Sequence, residues 1–99
     1  MRLMSRHVVS DLVFDDGNQR EMARHGVVRF EVEQLKWNRK VFSDNPRGEL
    51  GSVLMVGETN GGRLLTVALA PTDDPTTWRP ATAFDASRHH RALFDRRHR

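Results

Sequence analysis

The chain has no cysteine among its 99 residues, which excludes both a disulfide framework and a thiolate metal site. It has no apolar run of membrane length, and no signal-type hydrophobic region follows Arg2 and Arg6. No glycine-rich phosphate loop and no nucleophile elbow is present. His89, His90 and His98 lack the helical i, i+4 spacing and third ligand that a zinc site needs, so neither a metal nor a cofactor is expected. Internal repeats and low-complexity segments are also missing. These absences leave the expectation of a soluble, cytoplasmic protein. Its length suits one domain, placed at residues 8–95 with 1–7 and 96–99 as loose termini.

Apolar residues make up 37% and charged residues 29%, a slightly polar version of an ordinary globular composition. The charge is unevenly distributed. Residues 88–99 hold five arginines against one aspartate, net +4 in a chain whose total is +3, so residues 1–87 sum to −1. A basic block of this kind attracts phosphate backbones. It is equally suited to a solvated helix end, where arginines complement the macrodipole.

The most informative stretch runs from Gly57 to Leu93. Asn60-Gly61-Gly62 tolerates positive φ between two apolar runs and predicts a tight hairpin. Before it, Gly51–Glu58 alternates as a strand, with Val53, Met55 and Gly57 on one face. After it, Arg63–Ala70 is apolar in its middle and reads as the central strand. Pro71–Pro75 breaks the pattern, and Thr77–Phe84 forms a further strand in which Pro80 demands an edge or bulge position. Asp85 or Ser87 then caps a closing helix with Ala92, Leu93 and Phe94 inward.

Upstream, Val8–Phe14 suits an edge strand. Asp16 and Gln19 approximate a capping box for a helix over Gly17–His25, with Met22 and Ala23 inward and Gly26 as its stop. A second helix is expected over Arg29–Trp37, with Val28, Val32 and Leu35 inward and Phe30 on its flank. Lys36–Phe42 turns into a short strand, and Ser43–Leu50 is a loop by composition. The expected order is β-α-α-β-β-β-α, an α+β fold: two N-terminal helices, an antiparallel meander of three to four strands and a C-terminal helix.

Several segments, taken in order, resemble the BrnT family of toxins from bacterial type II toxin–antitoxin pairs. They are Arg24-His25-Gly26-Val27, Phe30-Glu31-Val32-Glu33, Val56-Gly57-Glu58-Thr59, Gly62 through Val67, Arg79-Pro80-Ala81-Thr82-Ala83 and Ala86-Ser87-Arg88. The resemblance covers residues 8–95. It implies a RelE-like fold, ribonuclease activity that blocks translation, and a tightly bound, BrnA-like antitoxin that represses the shared operon. The chain departs from the family at Phe84, where an arginine of the proposed active surface is usual. It departs again at Arg88-His89-His90-Arg91, where a glutamate usually stands within a basic run.

A metal-independent ribonuclease needs a base for the 2′-hydroxyl, cations for the phosphorane charge and an acid for the leaving 5′-oxygen. Arg63 and Arg79, expected to project from one sheet edge, suit the cationic role because a guanidinium grips phosphate bidentately. His25 is the candidate acid or base and Glu58 a second candidate base. Arg88 and Arg91, one helical turn apart, would bind substrate phosphate together with Lys40. Each has a plainer reading. His25 suits a helix-end cap, Arg63 a solvated hairpin flank, and Arg79 a stack on Trp78 or a pair with Asp73 or Asp74. Trp37 and Trp78 read as core or interface anchors rather than base-stacking platforms. Two further functions stay open: a catalytically inactive antitoxin-binding module, or a small basic nucleic-acid-binding protein.

Overall fold

The computed structural model describes residues 7–98. Its elements are β1 (Asp11–Leu12), α1 (Asp16–Ala23), α2 (Arg29–Gln34), β2 (Lys40–Asp44), β3 (Val53–Glu58), β4 (Leu64–Pro71), β5 (Thr77–Asp85) and α3 (Arg88–Arg97). The five strands form one mixed sheet in the order β1-β5-β4-β3-β2. The α+β class holds, with β4 central as its apolar sequence requires. The purely antiparallel meander does not. β1 adds a fifth strand that pairs in parallel with Thr77 and Trp78 of β5.

Strand alternation divides the core between the two faces. Phe42, Val53, Met55, Leu65, Val67, Leu69 and Ala83 pack with Met22, Val27, Val32 and Leu35 of the α1–α2 layer. Their neighbours Val41, Val56 and Leu64 pack with Leu93 and Phe94 of α3 on the opposite face. Each fully buried Leu or Val contributes about 1.5–3 kcal/mol, against about 0–1 kcal/mol for an exposed ion pair. Two-sided burial of the sheet therefore sets the fold, and the charged groups are arranged around it.

The hairpin forms as the sequence dictates. Val53↔Leu69 through Glu58↔Leu64 pair across it, and Gly62 takes a positive φ of 86°. Pro80 also behaves as expected. The β4–β5 register shifts from Leu69↔Pro80 to Ala68↔Thr82, leaving Ala81 as the extra residue of a bulge.

Helix α1 is capped by Asp15 and Asn18, one residue before the expected pair. Asn18 N–H donates to Asp15 Oδ1 at 2.8 Å and Asp15 N–H to Asn18 Oδ1 at 2.9 Å. Its inward residues are Asn18 and Met22, whereas Ala23 is exposed. Gly26, at φ 70°, ends the following turn as expected.

α2 is shorter than expected. Val32 and Leu35 are buried, but Val27 replaces Val28, which is 55% exposed. In α3, Ser87 rather than Asp85 is the cap, accepting from His90 N–H at 3.1 Å. Leu93 and Phe94 are buried and Ala92 is exposed.

Part of the expected loose ends is structured. α3 continues through Arg96 and Arg97, and the His98 ring stacks on Phe94 with centroids 4.6 Å apart and contacts the Lys40 carbonyl at 3.0 Å. The His7 ring packs against Phe42 and Trp78. Residues 1–6 and 99 lie outside the described residues. Among the described residues no helix is long and apolar enough to cross a membrane.

Candidate functional site

The sheet face that carries α3 is only partly covered. Beside the N-terminal half of the helix it leaves a groove of about 360 Å³, lined by Leu54, Phe84, His90 and the β2–β3 loop residues Asn45, Pro46 and Arg47. Leu54 and Phe84 reach it because they alternate with Met55 and Ala83, which are buried on the other face. Ser87 starts α3 so that His90, one turn in, lies over the sheet.

Thr66, fully buried in β4, meets the His90 ring there, with Oγ1 2.8 Å from Nδ1. A threonine hydroxyl in an otherwise apolar strand needs a polar partner, and the imidazole supplies it. The hydroxyl can accept from Nδ1–H, which leaves Nε2 with a free lone pair. Burial, reinforced by the charge of His89, holds the His90 imidazolium below its ordinary value, so the ring is neutral at neutral pH. Arg47 at the lip, and Arg88 and Arg91 on the exposed flank of α3, form no ion pair among the described residues.

On the far side of Phe84 stands His25, its ring centroid 5.9 Å from the phenyl ring. His25 Nε2 lies 3.2 Å from Glu21 Oε2, and the same carboxylate oxygen accepts from Thr82 Oγ1 at 3.1 Å. These contacts, the threonine hydroxyl first, hold the Glu21 carboxyl below its ordinary range. His25 is thus a carboxylate-paired imidazole beside the groove rather than a cap on helix carbonyls.

Arg63 and Arg79 are not together. Arg63 precedes β4, whose first residues face the end of β5, while Arg79 sits near the start of β5 opposite Ala70. About 20 Å of strand separates the two ends. Each is held locally.

Arg63 Nε donates to Asp85 Oδ1 at 2.7 Å, and Nη1 donates to the Gly26 carbonyl at 2.9 Å and to both Glu31 oxygens at 3.0 and 3.1 Å. This one side chain ties the end of β5, the α1–α2 turn and the first turn of α2. Its contact lowers the Asp85 carboxyl, and Asp85 in turn raises the guanidinium. Arg79 forms a forked pair with Asp15, through Nε at 3.1 Å and Nη2 at 3.0 Å to Oδ2. Its partner is therefore neither Asp73 nor Asp74.

Glu58 and Lys40 are also committed. The Glu58 carboxylate is gripped bidentately by Arg39, at 2.8 and 3.2 Å, toward the opposite end of α3 from His90. Lys40 Nζ donates to the carbonyls of Lys36 at 2.8 Å and Asn38 at 3.1 Å, and burial lowers its pKa. It closes the turn after α2 instead of facing solvent. Trp78 is a core residue, with Nε1–H donating to the Val8 carbonyl at 3.0 Å, whereas Trp37 is 65% exposed.

Of the sequence-predicted site residues, His25 lies beside Phe84 of the groove, Arg88 and Arg91 are exposed on the helix that carries His90, and Arg63, Arg79, Glu58 and Lys40 are elsewhere. The structure adds Thr66, His90 and Arg47. The signals for these were a lone threonine inside the apolar β4 run and a histidine three residues after a serine cap. Comparisons of the chain with protein-family models, curated proteins and solved structures gave no match.

Proposed function

We propose that the protein is a metal-independent endoribonuclease of the BrnT toxin type, RelE-like in fold, with its reacting groups in the His90 groove. The observation that carries this reading is a neutral imidazole, held by a buried hydroxyl, in a groove with Arg47, which forms no ion pair among the described residues, at its lip. In this reading His90 Nε2 takes the proton of the ribose 2′-hydroxyl as its oxygen attacks phosphorus. Arg47 stabilises the charge that grows on the non-bridging oxygens. The P–O5′ bond breaks, His25 protonates the leaving oxygen, and a 2′,3′-cyclic phosphate and a 5′-hydroxyl result. The Phe84 ring, 5.9 Å from His25 and lining the groove with His90, offers a face for a base. Arg88 and Arg91 hold flanking phosphates.

The test is induced expression in a bacterium, following growth and total RNA integrity, with His90→Ala beside the wild type. Growth arrest with RNA degradation, abolished by the substitution, supports the reading. Normal growth with a folded protein contradicts it.

A second reading is favoured by one observation. Phe84 stands where the resemblance calls for an arginine, and its ring is partly exposed beside Leu54. An antitoxin-binding module without catalysis would use this apolar surface directly. Co-purification with an antitoxin encoded beside it, without RNA cleavage by the free protein, would favour this second reading.

A further inference from the structure

We propose a nucleobase-binding subsite, distinct from the His90 groove, between the turn after α2 and the β3–β4 hairpin; it rests on the RNA-cleaving reading and extends it to substrate selection. The place is a shallow groove of about 480 Å³ lined by Trp37, Asn38, Arg39, Glu58, Thr59 and Asn60. It lies toward the opposite end of α3 from His90, since Arg39 reaches over Phe94 at 5.7 Å.

Three features fit a base. Trp37 is 65% exposed, with the Lys36 ammonium 5.4 Å from its ring centre. An indole this exposed contributes little to the core, and it offers the π-face on which any base stacks.

The second feature is an oriented hydrogen-bonding edge. Asn38 Nδ2 donates to the Glu58 carbonyl at 3.0 Å and to Asn60 Oδ1 at 2.9 Å, and Asn60 N–H donates to Gln34 at 2.9 Å. These bonds fix both amides across the mouth of the hairpin. They leave Asn38 Oδ1 as an acceptor and Asn60 Nδ2 as a donor without protein partners among the described residues. A free acceptor and a free donor on two hydrogen-bonded amides suit the donor and acceptor groups along the edge of a base.

The third is charge. Arg39 and Glu58 neutralise each other, and Lys36, which forms no ion pair among the described residues, leaves the groove net positive. A base that carries a phosphate is therefore favoured over an acidic or neutral aromatic side chain. With one base here and the scissile phosphate at His90, the strand would run along α3, whose Arg88 and Arg91 are unpaired.

The two tryptophans make the test direct, because Trp78 is only 7% exposed and the solvent-sensitive emission is that of Trp37. The full chain is titrated with adenosine 5′-monophosphate and, separately, with inorganic phosphate. Binding of a labelled 2′-O-methyl RNA oligonucleotide, which cannot be cleaved through its 2′-oxygen, is then compared for wild type, Trp37→Ala and Trp37→Phe. The expected result is saturable quenching by the nucleotide but not by phosphate. Trp37→Ala should weaken oligonucleotide binding by about 5- to 150-fold, the range of one base–aromatic stack. Trp37→Phe should stay within a few fold of wild type.

Equal quenching by phosphate alone, or unchanged binding by Trp37→Ala, would overturn the subsite. So would a Trp37-dependent self-association seen as a concentration-dependent change in size. RNA cleavage without a Trp37 response removes the subsite and keeps the ribonuclease reading. Nucleotide binding without cleavage does the reverse.

Discussion

Arg63 and Arg91 carry the same guanidinium and lie near the same aspartate, yet they belong to different regions of the molecule. Arg63 donates to Asp85, Glu31 and the Gly26 carbonyl, and ties three elements together. Arg91 reaches Asp85 only through its field and stays exposed. The contrast is general. Arg24, Arg29, Arg39, Arg63 and Arg79 each hold a carboxylate. Among the described residues, Arg20, Arg47 and the α3 arginines Arg88, Arg91, Arg96 and Arg97 hold none. Charge committed to the fold is poorly placed to meet an incoming phosphate, because binding would first have to break a formed pair. Most of the basic character available to a ligand is that of α3 and the β2–β3 loop, with Lys36 beside Trp37 and Arg20 on α1 as separate unpaired charges.

The largest expected effect that separates the two regions is on cleavage by His90→Ala. Loss of a general base lowers the rate by about 10²–10⁴-fold, and the buried Thr66 hydroxyl left without its partner costs about 1–3 kcal/mol, so the rate is compared per folded molecule. Single-turnover cleavage with parallel thermal melts measures both.

Arg63→Ala should affect stability alone. It leaves Glu31, Asp85 and the Gly26 carbonyl without their donor and lowers stability by about 1–2 kcal/mol, an amount reduced by solvent at the exposed side of the network. The rate per folded molecule should hold. A clean loss of cleavage without destabilisation would move Arg63 into the site.

A subtler separation comes from salt. Replacing Arg88 and Arg91 together by alanine should weaken single-stranded RNA binding and flatten the plot of log affinity against log salt by roughly 1.4, two phosphate contacts at about 0.7 each. Arg24→Ala and Arg79→Ala, on the committed side, should leave that slope unchanged.

The smallest expected effect is on stability against pH. His90 has a folded pKa below its ordinary 6.5. On acidification the unfolded chain takes up this proton first, so the contribution of neutral His90 is complete above about 6.5 and is lost as pH falls below it. Asp15 and Asp85 are depressed carboxyls, whose contributions are present above about 3.8 and lost only at lower pH. His90→Gln should therefore flatten the stability curve between pH 7 and 5 and leave the more acidic limb in place.

How far the sequence could be read follows the same division. Strand alternation in β3, the apolar run of β4, the Asn60-Gly61-Gly62 hairpin and the Pro80 bulge are local patterns, and each appeared where its residues required. The edge strand expected over Val8–Phe14 is there as Asp11–Leu12, but its parallel pairing with β5 joins residues far apart in the chain, which no local pattern reports. Val27 and Val28 are adjacent, and which one turns inward depends on where the Gly26 turn delivers the chain. The site was less legible than the fold for a related reason. An arginine's role is set by its partner, and the Arg63–Glu31 and Arg79–Asp15 pairs span gaps that no spacing rule reports. Thr66 and His90 were each visible as oddities, a hydroxyl in an apolar strand and a histidine after a cap, but only the packing of α3 on the sheet makes them one group.

The most direct test of the central claim, that cleavage belongs to the His90 groove and not to the sheet-end arginines, is in vitro cleavage of a single-stranded RNA by the purified wild type, His90→Ala and Arg79→Ala. Wild type and Arg79→Ala should cleave at comparable rates, with an acid limb below pH 6.5, and His90→Ala should not. Cleavage retained by His90→Ala and lost by Arg79→Ala would contradict the account, as would a folded wild type that leaves RNA intact.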